Sequence, residues 1–331
     1  MMQRISFGSI AIAFLLLLAV ADAWVADNWT LFPALLGPLA RRGSIIPLFF
    51  TGVMLAGTVE LLRIVQATGA RPHRWIAVLF AAGLMLGPWL YAGFAPAGHL
   101  VSAEGLAVQV LLLAGAMLAT ALAQILRTDT TGAIRDVGAT LLVTVYCGLL
   151  PSFLILLRCD TALPVPLGAW LVLVFLAVTK VSDIGAYFVG STIGRHKLIP
   201  WVSPGKSVEG FVGGLCASAG LTVLVWHFSR ILSSPPAVAD LTNAQAAAIV
   251  LGDALSLFGT MTLLQAIVFG ALMSGVGQLG DLLESVFKRS AGAKDSAKLI
   301  PQFGGVLDLV DSPVLAAPVA WFVLTYLWRL V

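Results

Sequence analysis

Apolar runs of roughly 20 residues recur along the whole chain and are separated by short polar connections. A helix of this length is long enough to cross the hydrocarbon core of a bilayer. The pattern therefore predicts an all-α polytopic membrane protein with about nine transmembrane helices. The predicted spans are 5–24, 44–62, 75–96, 105–126, 136–157, 166–190, 208–229, 254–279 and 313–330.

Two features near the N-terminus depart from this pattern. The segment 28–40 is apolar, but it is short and broken by prolines, so we expect an interfacial or re-entrant piece. The first span, preceded by Arg4 and followed by the small-residue stretch 21–23, also resembles a secretory signal peptide. We expect this helix to be retained as an anchor, with cleavage as the alternative; cleavage would leave the remaining topology unchanged.

The positions of the basic residues give the predicted helices an orientation. With the N-terminus inside, thirteen Lys and Arg side chains fall in inside connections and five fall outside. The pair Arg41-Arg42 falls outside and so does not follow the rule, and Lys180 lies within a span. The longest polar connections are 191–207, 230–245 and 280–312. The orientation places 191–207 and 280–312 on the cytoplasmic side.

Composition excludes two broad classes of protein. Hydrophobic residues make up 59% of the chain and charged residues only 11%, whereas a soluble domain carries about 25% charged residues. The formal net charge of +3 is too small to indicate a nucleic-acid partner. The three cysteines have no metal-ligand spacing, and we interpret them as small apolar fillers.

Charged side chains, scarce elsewhere, crowd into the connection 280–312. This stretch holds Asp281, Glu284, Lys288, Arg289, Lys294, Asp295, Lys298, Asp308 and Asp311. Carboxylates beside Lys and Arg at a membrane surface suit the binding of a metal ion together with phosphates. A purely structural loop would not need so many charges of both signs.

Three of these acids are the predicted metal ligands. Asp308 and Asp311 are three residues apart, so a helical turn would place both on one face. Gly304-Gly305 just before them would let the backbone approach a ligand closely. Because hard carboxylate oxygens suit Mg²⁺, we predict that Asp281, Asp308 and Asp311 hold this ion. The plainer alternative is that Asp311 caps a helix and Asp281 ends one in solvent.

A second polar cluster lies in the sixth span and in the connection that follows it. Lys180 and Asp183 are three residues apart at membrane depth, so they either form a simple pair or line a cavity. The tripeptide 205–207 has no upstream P-loop glycine at the required distance, so a P-loop is rejected. Lys206 beside Ser207, at the start of the next helix, still suits a phosphate contact. Glu60 faces either an interior cavity or the membrane interface, and the sequence leaves this open.

Together, the two clusters resemble the phosphatidate cytidylyltransferase family, also called CDP-diacylglycerol synthases. The resemblance covers about 175–313. The first half of the chain resembles the family only as a set of spans. The matching motifs are Asp183-x-Gly185-Ala186-Tyr187, Ser203-Pro204-x-Lys206-Ser207-x-Glu209-Gly210, Gly280-Asp281 with Glu284-Ser285, Lys288-Arg289, Lys294-Asp295-Ser296, and Pro301 to Asp311.

This resemblance implies a reaction and a set of site residues. The reaction is CTP plus phosphatidate to CDP-diacylglycerol and pyrophosphate, with one or two Mg²⁺ ions as cofactor. Catalytic roles are implied for Asp281, Asp308, Asp311, Lys288, Arg289, Lys294 and Asp295. Substrate contacts are implied for Asp183, Tyr187, Ser203, Lys206, Ser207, Glu209, Glu284, Ser285, Gly304 and Gly305.

The resemblance also implies an organisation for the whole protein. Residues 1–165 are expected to form a variable scaffold of helices, and residues 166–331 the catalytic region. The protein is expected in the inner membrane of the cell as a multi-pass homodimer. Its active site, on the C-terminal helices, is expected to face the cytoplasm.

The chain departs from the family pattern at three positions. Phe303 stands where the family usually has His, Gln302 where it has Gly, and Leu309 where it has Arg between the closing acids. These losses keep a catalytically weakened paralogue as one alternative. The others are a CTP-dependent enzyme that acts on a polyprenol or phytol-type alcohol, and a transporter lined by intramembrane charges.

Overall fold

Long helices make up most of this computed structural model. It describes residues 2–33, 36–95, 101–160, 165–232, 257–293, 296–297 and 304–327. Within these ranges, eight helical segments are long and apolar enough to cross a membrane. A further helix of 26 residues, Met2–Asp27, covers the first predicted span. The prediction of an all-α polytopic membrane protein is therefore confirmed.

The helices follow the predicted spans closely over most of the chain. They are α1 (Met2–Asp27), α2 (Gly37–Ala40), α3 (Ile45–Ala67), α4 (Arg74–Phe94), α5 (Val101–Ile125), α6 (Ala133–Thr144), α7 (Leu150–Arg158), α8 (Val165–Ile193), α9 (Val208–Leu232), α10 (Leu263–Ser290) and α11 (Leu307–Phe322). In the segment 28–40 the described residues form only a 3₁₀ turn and the four-residue α2, both far too short to span.

The connection after α8 folds into a small hairpin. Strands β1 (Lys197–Ile199) and β2 (Ser203–Ser207) pair antiparallel. The Ser207 hydroxyl accepts a hydrogen bond from Gly210 N at 3.1 Å, so it caps the first turn of α9. Lys206 is thereby held at the mouth of the helical bundle, next to the N-terminus of α9.

The predicted ends of the last two spans were wrong. The eighth span was placed at 254–279 and the ninth at 313–330, but α10 runs to Ser290 and α11 begins at Leu307. Hydropathy locates the apolar part of a helix and not its ends. Here the polar last turn of α10 carries basic side chains, which favour a helix C-terminus. Much of the predicted connection 280–312 is therefore helical.

A buried ion pair ties α1 into the bundle. Asp22 Oδ2 lies 2.6 Å from Arg158 Nε, and both side chains are almost completely buried. Asp22 Oδ1 also accepts hydrogen bonds from Ile45 N at 2.7 Å and Ile46 N at 3.0 Å, at the start of α3. Asp22 lies in the small-residue stretch that resembles a cleavage site. Removal of α1 would take this carboxylate away from Arg158, and the retention of α1 stays a prediction.

A π-helical turn separates α6 from α7. Residues Val145–Leu149 form this turn, and Pro151 follows within the first turn of α7. The widened turn places Tyr146 in the interior, where its ring packs edge-on against Phe287 of α10 at 5.4 Å between centroids. Turns of this kind occur often at functional sites. Tyr146 brings the first half of the chain next to the charged residues of α10.

Candidate functional site

Three carboxylates from two helices converge at the end of the bundle where α3 ends and α11 begins. Asp281 and Glu284 lie on α10, and Asp311 lies on α11. One oxygen atom of each lies within 4.8 Å of the others. Glu284 and Asp311 are buried and Asp281 is half-buried. This group, called here the acidic triad, is the centre of the candidate site.

Close contact between α10 and α11 brings the triad together. Asp281 and Glu284 are three residues apart, so they share one face of α10. Gly280, next to Asp281, packs against the backbone of α11: a Cβ atom at 280 would lie 2.5 Å from Asp311 O. Only a glycine allows this approach. The glycine therefore sets the distance between the two aspartates.

Each carboxylate of the triad is paired with a lysine, and the three lysines lie on three different elements of the fold. Lys206 Nζ of the hairpin lies 2.7 Å from Asp281 Oδ2. Lys288 Nζ of α10 lies 2.5 Å from Glu284 Oε2, and Lys180 Nζ of α8 lies 3.7 Å from Asp311 Oδ1. Half-buried lysines in contact with acids are available to phosphate oxygens that enter the same space.

Lys180 also contacts Asp183, as its spacing suggested. The Nζ–Oδ2 distance is 3.2 Å. The contact with Asp311 shows that this pair belongs to a larger group. Ser312 Oγ lies 3.4 Å from Asp183 Oδ1, which links α8 to α11. Asp183 therefore lines the candidate site.

Asp308 lies beside the triad and has a different set of partners. Its Oδ1 is 2.5 Å from Lys288 Nζ. Its Oδ2 accepts hydrogen bonds from Gly305 N at 2.7 Å and Ser296 N at 3.1 Å. These contacts brace the connection between α10 and α11. The metal role of Asp308 stays a prediction, and Glu284, assigned from sequence to substrate binding, completes the acidic triad.

Glu60 is the site-forming residue whose place the sequence left open. It is buried on α3 and accepts hydrogen bonds from Val306 N at 2.8 Å and Leu307 N at 2.9 Å. Ser296 Oγ lies 2.9 Å from both Glu60 Oε2 and Asp308 Oδ2. Glu60 therefore fixes the start of α11, which carries Asp308 and Asp311. Its signal in the sequence was a lone acid in an apolar span.

Gly304 and Gly305 allow the tight turn that precedes α11. The sequence indicated only that the backbone can approach another group closely here. Gly304 has φ of +91°, a backbone conformation that favours glycine. A Cβ atom on Gly305 would collide with Ser296 Oγ and Glu60 Oε2. The two glycines let the chain turn tightly against Glu60 before α11 begins.

The donor set of the acidic triad fits a divalent cation. Glu284 Oε1 and the Tyr146 hydroxyl are buried, and neither has a hydrogen-bond partner among the described residues. Asp183, Asp281, Glu284, Asp308 and Asp311 face Lys180, Lys206 and Lys288, so carboxylates exceed lysines by two. Hard oxygens with excess negative charge suit Mg²⁺. Tyr146 was missed from sequence, since nothing in its neighbours signals a π-helical turn.

The remaining predicted residues lie around this centre or outside the described part. Glu209 accepts hydrogen bonds from Arg195 N at 3.1 Å and from the backbone and ring of His196, so it holds the loop before the hairpin. Arg289 Nε donates to Val202 O at 3.4 Å. Tyr187 is 68% exposed on α8.

Among the described residues, two further predicted ones form no hydrogen bond with the acidic triad. Ser203, at the start of β2, and Ser285, on α10, are half-buried. The predictions for Lys294 and Asp295 fall outside the described residues, as does the departure at Phe303. Their roles stay predictions.

Comparison with known proteins agrees with this architecture. The model of the cytidylyltransferase family matches residues 2–327. The uncharacterized protein YnbB of Escherichia coli is 33% identical over 244 residues, which are 72% of this chain and 70% of that protein. This chain belongs to the cytidylyltransferase family, and the resemblance inferred from its motifs is confirmed.

Two further relatives are named phosphatidate cytidylyltransferases. The protein of Haemophilus influenzae is 37% identical over 151 residues, 46% of this chain and 44% of that protein. The protein of Chlamydia pneumoniae is 35% identical over 200 residues, 60% of this chain and 57% of that protein. The chain thus matches about half the length of these curated relatives.

Proposed function

We propose that this protein is a phosphatidate cytidylyltransferase that converts CTP and phosphatidate into CDP-diacylglycerol and pyrophosphate. The observation that carries the proposal is the acidic triad with its three lysines, at one end of a membrane bundle of the cytidylyltransferase family. Relatives that carry this enzyme name support the same substrates. The acidic triad and its three lysines lie at one end of the bundle, where they would contact both a nucleotide from the water and a lipid from the bilayer.

The reaction needs positioning and charge neutralisation more than proton transfer. A phosphate oxygen of phosphatidate attacks the α-phosphorus of CTP, and the bond to the β-phosphate bridging oxygen breaks. Pyrophosphate leaves with that electron pair. Because the attacking oxygen is already ionised at neutral pH, no general base is required. A chain with Phe303 in place of the family histidine is consistent with this chemistry.

The three lysines are placed to hold the phosphates in line. Lys206 lies on the hairpin at the end of the bundle, next to Asp281, where the triphosphate would enter. Lys180 lies deeper on α8, on the side from which a lipid phosphate would arrive. Lys288 joins Glu284 to Asp308 and can exchange one carboxylate for a phosphate oxygen.

Asp281, Glu284 and Asp311 would hold Mg²⁺, with Asp308 as a further candidate ligand if a second cation binds. The ion would supply neutralisation of phosphate charge. Asp183 would line the cavity next to it. The lysines and the hydrogen-bonded turn at Gly305 would keep these acids in place while substrates bind.

The lipid chains need a path from the bilayer to the triad. Ile184, Tyr187 and Phe188 are exposed on α8 close to Asp183, and their apolar side chains would line this path. The excess of basic residues at this end favours the cytoplasmic side of the inner membrane. The proposed site therefore draws CTP from the cytoplasm and phosphatidate from the adjoining leaflet.

The proposal is tested by the choice of acceptor. Purified full-length protein in detergent is incubated with labelled CTP, Mg²⁺ and either phosphatidate, a polyprenol or a phytol-type alcohol. We expect labelled CDP-diacylglycerol from phosphatidate, with one pyrophosphate released per product. The Asp281→Asn variant should give none, whereas Asp27→Asn, an exposed acid at the far end of α1, should match the wild type. A labelled product from an alcohol instead of phosphatidate would overturn the assignment.

A further inference from the structure

A cavity whose lining includes three arginines lies at the same end of the bundle as the acidic triad. Its volume is about 630 Å³, and its walls include Gln66, Arg71, His73, Arg74, Trp75 and Arg127. It opens between the end of α3, the start of α4 and the end of α5. Because α3 also carries Glu60, the cavity and the triad share one supporting helix. The described walls contain none of the residues assigned to the candidate site.

Hydrogen bonds from α6 and from Arg127, just after α5, hold the backbone that lines this cavity. The buried Asp136 of α6 accepts from Arg71 N at 2.8 Å, and Thr140 Oγ1 accepts from His73 N at 2.9 Å. Arg127 Nη1 donates to Arg71 O at 2.8 Å and lies 3.3 Å from Asp136 Oδ2. These bonds join the α3–α4 connection to α5 and α6. The arginines are therefore held on a preformed frame rather than on a loose loop.

The charged residues that line the cavity are all basic. Three of the residues that line the cavity are arginines, and none of the described lining residues is an acid. The contact of Arg71 with Asp129, at 3.4 Å, is a surface pair with both side chains more than half exposed, so a ligand can replace it at small cost. Arg74 lies over the Trp75 ring at 5.3 Å. Guanidinium groups bind phosphate through paired hydrogen bonds, so the fitting ligand carries a phosphate group.

The surroundings of the cavity indicate a lipid as the source of that phosphate. Trp75 and Leu79 are 73% and 68% exposed on one face of α4. Ile125 and Leu126, beside Arg127, and Ile134 of α6 are at least 75% exposed. Exposed apolar side chains and a tryptophan at the ends of spans are typical of the level of lipid headgroups. A lipid there would place its phosphate in the cavity and its chains along α4.

We propose that the cavity formed by Arg71, Arg74 and Arg127 binds the phosphate headgroup of an anionic membrane lipid. This site is separate from the acidic triad and does not depend on the proposed reaction. Arg71 and Arg74 contribute the exchangeable guanidinium groups, while Arg127 also maintains the frame through Asp136. The lipid would bind at the C-terminal end of α3, the helix that also carries Glu60.

Lipid binding by the intact protein tests this proposal. Native mass spectrometry counts phosphatidylglycerol and phosphatidylcholine bound to the full-length wild type and to the Arg71→Gln/Arg74→Gln variant. The matched control is Arg63→Gln/Lys197→Gln, which removes two exposed basic side chains that lie outside the cavity walls and make no described contact with Asp136. We expect the wild type to prefer phosphatidylglycerol, and the cavity variant to lose about tenfold in that preference. The control should keep it.

Two other results would overturn the proposal. Equal loss in the control variant would mean that general surface charge attracts the lipid. Displacement of phosphatidylglycerol by an equal concentration of inorganic phosphate would mean that free phosphate, and not a lipid, is the ligand. Arg74→Gln alone guards against misfolding, because its described contact is with the Trp75 ring. It should lose part of the preference while its thermal unfolding stays like that of the wild type.

Discussion

Glu60 on α3 and Leu307 at the start of α11 are joined by a buried hydrogen bond of 2.9 Å between Leu307 N and Glu60 Oε2. The two residues are 247 positions apart in the sequence. The bond satisfies a backbone donor at a helix N-terminus, where a carboxylate also interacts well with the helix dipole. A helix of the first half of the chain thereby sets the position of the helix that carries Asp308 and Asp311.

Replacing Glu60 with Gln should lower turnover without a matching change in the KM for CTP. The glutamine oxygen can still accept hydrogen bonds, but the NH₂ group cannot. It would therefore lose either the bond from Val306 N or the bonds from Leu307 N and Ser296 Oγ. We expect a loss of about 1–3 kcal/mol in stability, measured by thermal unfolding, together with a lower kcat. The control Glu104→Gln changes an acid of α5 that bonds to the Tyr91 hydroxyl. If this control lowers kcat as much, Glu60 has no special positioning role.

Lys206→Ala should weaken CTP binding. Removal of the hairpin lysine leaves Asp281 without its partner at 2.7 Å and removes one phosphate contact. We expect the KM for CTP to rise by about tenfold or more, the value of one charged hydrogen bond. Lys197→Ala, an exposed lysine of the neighbouring strand, is the matched control and should leave the KM unchanged. Equal KM values for both variants would remove Lys206 from the nucleotide site.

Restoring the family arginine by Leu309→Arg should change activity little. Asp308 and Asp311 already have separate lysines, Lys288 and Lys180, which supply the neutralisation that an arginine between them would give. We expect less than about a twofold change in kcat/KM, well under the tenfold that corresponds to 1.4 kcal/mol. Leu309→Gln controls for the loss of an apolar side chain. A large gain with arginine alone would identify the natural chain as a weakened enzyme.

The pair of Asp22 and Arg158 should stabilise the fold without affecting the chemistry. Asp22→Ala leaves a buried guanidinium without this partner, which costs about 3–5 kcal/mol. The double variant Asp22→Leu/Arg158→Met removes both charges and should unfold at a higher temperature than Asp22→Ala. Asp27→Asn, on the exposed end of α1, serves as control. Thermal unfolding of Asp22→Ala like that of the wild type would contradict a structural role for α1 through this pair.

The sequence predicts the transmembrane helices well, because long apolar runs have few other stable solutions in a bilayer. It also predicts that Asp281, Lys288, Asp183 and Lys206 belong near one another, through the motifs of the family. The ends of α10 and α11 were misplaced, since the apolar stretch of a helix stops before its hydrogen bonds do.

The contacts that complete the site could not be read from local sequence. The bond of Glu60 to the start of α11 depends on how distant helices pack. Glu284 joins the triad because of the way α10 is rotated about its axis. The close packing of Gly280 against the backbone at Asp311 helps to set that rotation. Tyr146 reaches the interior only because the chain widens into a π-helical turn at Val145–Leu149.

The most direct test of the account is the dependence of CDP-diacylglycerol formation on the concentration of Mg²⁺. The wild type should be inactive after chelation of divalent cations, and added Mg²⁺ should restore product. Glu284→Gln should need at least about tenfold more Mg²⁺ for half-maximal rate, because it removes one charged ligand of the triad, and Asp27→Asn should need no more than the wild type. Full activity without a divalent cation, or an unchanged Mg²⁺ requirement in Glu284→Gln, would contradict the assignment of the triad as the metal site.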